Sequence, residues 1–351
     1  MQARSTRYET LDGLRGVAAL GVVLVHILPL GGAWTQWQGG YAAVDLFFMI
    51  SGFVLAHAYD PRFSAGYSVR RFVLDRLIRL YPLYLLGLAL GVLTLLVRPM
   101  PPGLAVQSIG FGLAFLPVPH RGHLYPLNFP MWSLVYELAA NVLFAVGWRL
   151  LHGWRLAALV AGAGAGIVLY ALFLSQPTGG SMWSGAVIAV LRVLFGFFMG
   201  VLLHRHAPRP AQRESALAPL LLAAAVVVLF ALPTPVHTEL AARIRDLAML
   251  GIMPGLVYLA ACYAPARGVR PAVVMSGLAS YAIYVIHQPL SVLVAAAMPF
   301  APSPGIALGF LVLVTAAALV VDRVYDRPLR AWLKGLRGGY VSMGLADSRR
   351  A

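Results

Sequence analysis

Residues 8–26 read YETLDGLRGVAALGVVLVH, an apolar run with acids and an arginine at its mouth and a histidine deep inside it. Arg15 and His26 are eleven positions apart. At about 3.6 residues per turn that is close to three whole helical turns, so both side chains share one face, about 16 Å apart along the axis. An ionisable side chain inside a membrane span is costly and marks a functional site by default. The remaining reading asks what gathers around His26.

Working outward, the 351-residue chain is 60% hydrophobic and only 11% charged, a balance that few soluble domains have. Ten apolar spans are read at 14–30, 41–59, 77–97, 130–151, 154–174, 183–203, 217–232, 247–263, 272–294 and 304–321. The expected fold is therefore all-α, a polytopic membrane protein of about ten transmembrane helices. An eleventh apolar piece, 104–118, contains glycines and is bracketed by Pro101, Pro102, Pro117 and Pro119. It is short for a hydrocarbon core about 30 Å thick and reads as re-entrant or interfacial.

Charge settles the count. The net charge is +15, but the arginines lie mostly in short loops. If 104–118 does not cross, Arg4, Arg7, the block 62–79, Arg149, Arg155, the block 205–213, Arg267, Arg270 and the arginines of 323–350 share one side. The other side keeps Arg98, Arg121, Arg243 and Arg245 among loop arginines. This bias places both termini in the cytoplasm and argues against a nucleic-acid partner. The lone Cys262 excludes an internal disulfide or a cysteine metal site, and no metal is expected. The first span lacks a small-residue cleavage site and is expected to stay as an anchor.

Four ionisable groups fall in one layer near the outer face: His26, Asp45, Glu137 and His287. His26 and Asp45 are equidistant from the loop between their helices, so they are expected at one depth. A carboxylate beside a histidine makes a general base, fixing the tautomer and stabilising the imidazolium. The alternatives are a core histidine bonded to a backbone carbonyl, a structural Asp45, and a Glu137 that neutralises Arg192 in the sixth span. Arg76 and Arg79, three apart on one helical face, have the spacing to grip one phosphate group, or to touch lipid headgroups. Ser51 and Gly52 in mid-helix permit a kink or a close backbone approach. A transporter or proton-linked carrier using the His26, Asp45 and Glu137 layer is the rival function, although the paired repeats that often accompany one are absent from the sequence.

Five pieces in order resemble acyltransferase family 3, integral-membrane acyltransferases found largely in bacteria. They are LDGLRGVAALGVVLVH, VDLFFMISGFVL, RLIRLYPLY, FPMWSLVYELAANVLF and SYAIYVIHQPL. The resemblance covers nearly the whole chain. It implies a ten-helix acyltransferase unit over 1–325, with 326–351 a basic cytoplasmic tail. It also implies that His26 is the essential histidine and that Arg76 and Arg79 handle acyl-CoA. One departure is Leu138, which stands where many members carry a second acid.

The expected function is transfer of an acyl group, acetyl foremost, from acyl-CoA to a hydroxyl of a cell-surface glycan, lipid-linked sugar or similar acceptor, in the bacterial inner membrane. His26 is the expected base with Asp45 and Glu137 beside it. Arg15, sharing the face of His26, is expected to guide the CoA arm, whose phosphates meet Arg76 and Arg79. Tyr281 and Tyr284 are candidates for stabilising the oxyanion.

Overall fold

The computed structural model describes residues 7–27, 38–120, 122–175, 178–206, 212–232, 239–298 and 303–336. Among them are eleven α-helices: α1 Glu9–His26, α2 Ala43–Ser64, α3 Val69–Leu93, α4 Pro102–Leu113, α5 Trp132–Gly147, α6 Trp154–Phe173, α7 Ala186–His206, α8 Leu217–Ala231, α9 Glu239–Cys262, α10 Arg270–Ala297 and α11 Pro304–Val321. Eight of the helical segments are long and apolar enough to cross a membrane. The others are α1, which carries Glu9, Asp12 and Arg15, and the shorter α4 and α8. The chain is an all-α polytopic membrane protein.

Two helix pairs form the frame, and close backbone approach makes each of them. Along α1 and α10, Gly13 meets Val273, Gly16 meets Ser276 and His26 meets His287, so the two helices run parallel. A Cβ on Gly16 would overlap the backbone of Ser276. Along α2 and α7, Asp45 meets Arg192, Met49 meets Gly200 and Phe53 meets His204, again parallel. A Cβ on Gly52 would overlap the carbonyl of Phe197, and one on Gly200 would overlap that of Met49. The serine-glycine pair at 51–52 thus serves close approach, as small residues do between helices in lipid.

Parallel pairing bears on the number of crossings. With α4 left out, α1 and α10 are the first and ninth spans, and α2 and α7 the second and sixth, so both pairs must be parallel. Counting α4 as a crossing would make both antiparallel. The 12-residue α4 is about 18 Å long, well short of the core thickness. It lies against α3, where the hydroxyls of Tyr81 and Tyr84 donate to the carbonyls of Leu113 and Gly112 at 2.6 and 2.7 Å. Ten crossings satisfy the observed directions.

The segments containing α2 and α10 are the most enclosed, 83% and 72% buried across their apolar windows, and those containing α6 and α11 the least, at 28% and 17%. The core therefore lies around α1, α2, α7 and α10. The outer helices expose Leu169, Phe173, Val228, Leu308 and Val312, an apolar surface suited to lipid. A short parallel strand pair, β1 Arg213–Ser215 with β2 Tyr263–Pro265, joins one rim, and Thr10 Oγ1 donates to the Tyr263 carbonyl at 2.7 Å. Helix α11 continues through a π turn, Asp322–Asp326, into helix that reaches residue 336. Arg4, Arg121 and residues 337–351 of the expected tail lie outside the described residues.

One buried ion pair locks α2 to α7. Arg192 donates from Nε to Asp45 Oδ1 at 2.9 Å and from Nη2 to Oδ2 at 2.7 Å, and both side chains are at most 2% exposed. Removing one partner of such a pair strands a charge away from water. Asp45→Ala is expected to cost about 3–5 kcal/mol, read as a lower melting temperature in detergent. Asp45→Leu combined with Arg192→Met is expected to melt above the single variant. Equal melting of Asp45→Ala and the parent would contradict the clamp.

Candidate active site

His26 ends α1 and lines a cavity of about 200 Å³ together with His123, Phe129, Trp132, Arg192 and Tyr284. Its ring is set by helix geometry. Nδ1 lies 2.8 Å from the carbonyl of Val22, one turn back, and a carbonyl can only accept. Nδ1 therefore carries the proton, and Nε2 is left with the lone pair. The same logic fixes His287, whose Nδ1 donates to the carbonyls of Tyr284 and Ile283 at 2.8 and 3.1 Å. The unprotonated Nε2 of His287 then accepts from His26 Nδ1–H at 3.3 Å. Two neutral imidazoles form a directional chain that presents His26 Nε2 as a base. His287 is fully buried, whereas His26 is partly open to the cavity.

This corrects the expected His26–Asp45 arrangement. Both oxygens of Asp45 are taken by Arg192, so the partner that orients His26 is His287. It also corrects the pairing suggested for Glu137 and Arg192. Glu137 accepts a hydrogen bond from Ser51 Oγ at 2.7 Å and lies in a separate, inner compartment. That smaller space is lined by Arg15, Phe47, Ser133, Glu137, Tyr281 and Tyr284, among others. The four-group layer read from the sequence is thus divided. The two histidines stay together, Asp45 belongs to the ion pair at the cavity wall, and Glu137 sits deeper with Arg15.

Of the expected donor-side residues, Arg15 lies in the inner compartment and Arg76 and Arg79 beyond it. Arg15 and Arg76 each lie within electrostatic reach of both Arg79 and Glu137. The guanidinium of Arg76 covers the rings of Tyr59 and Phe72, and its buried Nε has no hydrogen-bond partner. Arg79 covers the ring of Tyr281 and lies 3.6 Å from Asp326, which Arg330 also holds at 2.7 Å. The two compartments have Val44 and Tyr284 as common lining. Tyr281 thus joins Arg79 to the inner compartment, and Tyr284 joins that compartment to the His26 cavity.

The cavity roof comes from two loops. Leu124 N–H donates to the Ser181 carbonyl at 2.8 Å, and Arg192 Nη1 donates to the carbonyls of Thr178 and Gly179 at 3.0 and 2.8 Å. The first loop is anchored by proline chemistry. Pro289 has no N–H, so the Val285 carbonyl one turn earlier in α10 loses its helical donor. Asn128 Nδ2 supplies that donor at 2.9 Å, fixing the loop to the helix that carries His287. His123, on this loop, stacks on Phe129 at 5.1 Å, and Phe129 packs against His26 at 5.4 Å. The sequence reading missed His123, which lies in the proline-rich stretch after α4. A carbonyl left without its helical donor four positions before a mid-helix proline points to a loop partner such as Asn128 only when the fold is known.

The family described as Acyltransferase domain matches residues 8–323. The chain is similar to Acyltransferase MdmB of Streptomyces mycarofaciens, at 30% identity over 82% of this chain and 80% of that protein. It is 40% identical to Protein 2 in picA locus of Rhizobium radiobacter over 41% of this chain and 84% of that protein. It is 31% identical to Exopolysaccharide production protein ExoZ of Rhizobium meliloti over 33% of this chain and 37% of that protein. No solved structure gives a significant match. With the family match running from before α1 through α11, the chain belongs to acyltransferase family 3 and is an integral-membrane acyltransferase.

Proposed function

We propose that this acyltransferase moves an acyl group, acetyl foremost, from acyl-CoA to a hydroxyl of a cell-surface glycan or lipid-linked sugar, with His26 as general base. The observation that carries the reading is the pair of compartments with a common wall: Arg15 on one side, with Arg79 against its Tyr281, and an oriented imidazole on the other. The CoA phosphates meet Arg76 and Arg79 on the cytoplasmic side, where guanidinium groups bind phosphate strongly. The pantetheine arm passes Arg15 and brings the thioester to Tyr284. The acceptor occupies the His26 cavity from the other face. Its volume of about 200 Å³ falls below the roughly 300–1,000 Å³ of pockets for drug-sized ligands. That suits one sugar unit of an acceptor more than a whole polymer.

In the transfer step His26 Nε2 takes the acceptor hydroxyl proton, and His287 accepts from the Nδ1–H of the imidazolium that forms. Asp45 contributes by holding Arg192 and the roof, and Glu137 by balancing the guanidinium charge of the inner compartment. Enclosure by helices keeps water from the thioester. The name Exopolysaccharide production protein ExoZ supports a glycan acceptor, and relatives named Putative O-acetyltransferase, 36% identical over 25% of this chain, support acetyl transfer. The bacterial inner membrane is the setting that places acyl-CoA on the arginine side. The carrier reading loses its basis, because the polar layer it needs is split between two compartments.

Two outcomes test this. With labelled acetyl-CoA and polysaccharide from cells lacking the gene, His26→Ala is expected to lower the transfer rate by about 10²–10⁴-fold, with the folded protein still in the membrane. Undiminished transfer would remove His26 as the base. In the same assay, Arg76→Ala with Arg79→Ala is expected to raise the KM for acetyl-CoA about a hundredfold or more, since hydrogen bonds to charged groups contribute about 1.5–3 kcal/mol each. An unchanged KM would assign the pair to lipid headgroups.

A further inference from the structure

Among the described residues, Val44 and Tyr284 line both compartments, and only Tyr284 brings a polar group there. Its hydroxyl lies 2.6 Å from Ser133 Oγ, which lines the inner compartment, and donates to the Pro130 carbonyl, on the His26 side, at 2.7 Å. Since Tyr284 donates to Pro130, Ser133 is the donor in the first contact. Donation from Ser133 polarises the phenol and strengthens it as a donor in turn. The phenol is held between Phe47, at 5.5 Å between ring centroids, and Ser133 with the Pro130 carbonyl, inside a site shielded from water. Tyr281 does not share this position. Its hydroxyl is committed to the Leu80 carbonyl at 2.7 Å, its ring lies under Arg79, and it lines the inner compartment alone.

From this placement we propose that Tyr284 is a catalytic residue, the hydrogen-bond donor that stabilises the thioester oxyanion during transfer. The inference rests on the acyl-CoA reading above and adds a residue to it. As His26 Nε2 takes the proton, the acceptor oxygen bonds to the thioester carbonyl carbon and the C=O pair moves onto its oxygen. The Tyr284 O–H swings from the Pro130 carbonyl to that oxygen. The Pro130 carbonyl stays paired, because it also accepts from Trp132 N–H and faces Ser133 Oγ at 3.4 Å. When the carbonyl reforms, the C–S bond breaks and the thiolate takes the proton from His26. The products are an ester and free CoA thiol, with His26 and Tyr284 returned to their starting states. A donor aimed at developing charge in an enclosed site is among the strongest contributions an enzyme makes.

The test uses the full chain in nanodiscs, labelled acetyl-CoA, and polysaccharide from cells lacking the gene. Tyr284→Phe is expected to lower kcat by about 10²–10³-fold, the loss typical of one oxyanion donor, with the KM for acetyl-CoA unchanged. Because the Phe variant removes the bond to Pro130 as well, a second series replaces Tyr284 with fluorinated tyrosines that keep its shape. There kcat is expected to rise as the phenol becomes more acidic, up to the pH at which it ionises. A purely structural tyrosine would leave kcat flat across the series. A flat series, or full kcat in Tyr284→Phe while His26→Ala is inactive, overturns the role of Tyr284 and leaves the donor and base intact. Absence of transfer by the unaltered protein would remove the acyl-CoA reading itself.

Discussion

The contact between α1 and α10 is the constraint from which the rest follows. Gly13 and Gly16 let the two helices touch near one end, and the parallel register then carries His26 onto His287 at 3.3 Å. Each imidazole is tied through Nδ1 to carbonyls of its own helix, so neither ring can reverse its tautomer without losing a buried hydrogen bond. The direction of the proton chain is thus written into the backbone. Backbone geometry and packing, not a neighbouring carboxylate, decide which nitrogen of His26 keeps the free lone pair. A wider α1–α10 crossing would separate the rings and leave a buried polar atom on His287 without a partner.

The second frame pair, α2 with α7, serves the same centre from a distance. Glycines at 52, 196 and 200 bring the helices together, and the Asp45–Arg192 pair is enclosed between them. A guanidinium has donors to spare after binding one carboxylate. Arg192 uses the surplus on the carbonyls of Thr178 and Gly179, so the pair that holds two helices also holds the cavity roof. A buried ion pair is weak evidence for stability, and in some proteins its role is to specify a geometry. Here the specified geometry is the wall beside His26. On the far side of Tyr284, Arg15, Arg76 and Arg79 lie among the acids Asp12, Asp75, Glu137 and the buried Asp326.

Much of this was legible in the sequence. Apolar run length gave the spans, and loop arginines gave a crossing count that the parallel pairs then satisfied. The Arg15–His26 spacing put a guanidinium and an imidazole on one face of α1, and the structure places them in adjoining compartments along it. What failed were pairings between helices. Equal depth made Asp45 look like the partner of His26, but depth says nothing about which way a side chain turns around its helix. Asp45 turns toward α7 because Arg192 waits there, and His287 reaches His26 because α10 is parallel to α1 in matching register. Neither fact is contained in one helix's periodicity. His123 and Asn128 escaped for a related reason: they lie in a loop whose path is set by a proline more than 150 residues away, Pro289.

In the proposed mechanism a thioester entering past the arginines reaches Tyr284 and meets His26 Nε2 across that common wall. The most direct measurement is a cryo-electron microscopy structure of the full chain in nanodiscs with a non-hydrolysable acetyl-CoA analogue. Phosphates are expected against Arg76 and Arg79, with the acyl carbonyl at the Tyr284 hydroxyl, facing the His26 ring. An analogue whose acyl end lies outside both compartments, or on the lipid side of α1, would contradict this mechanism.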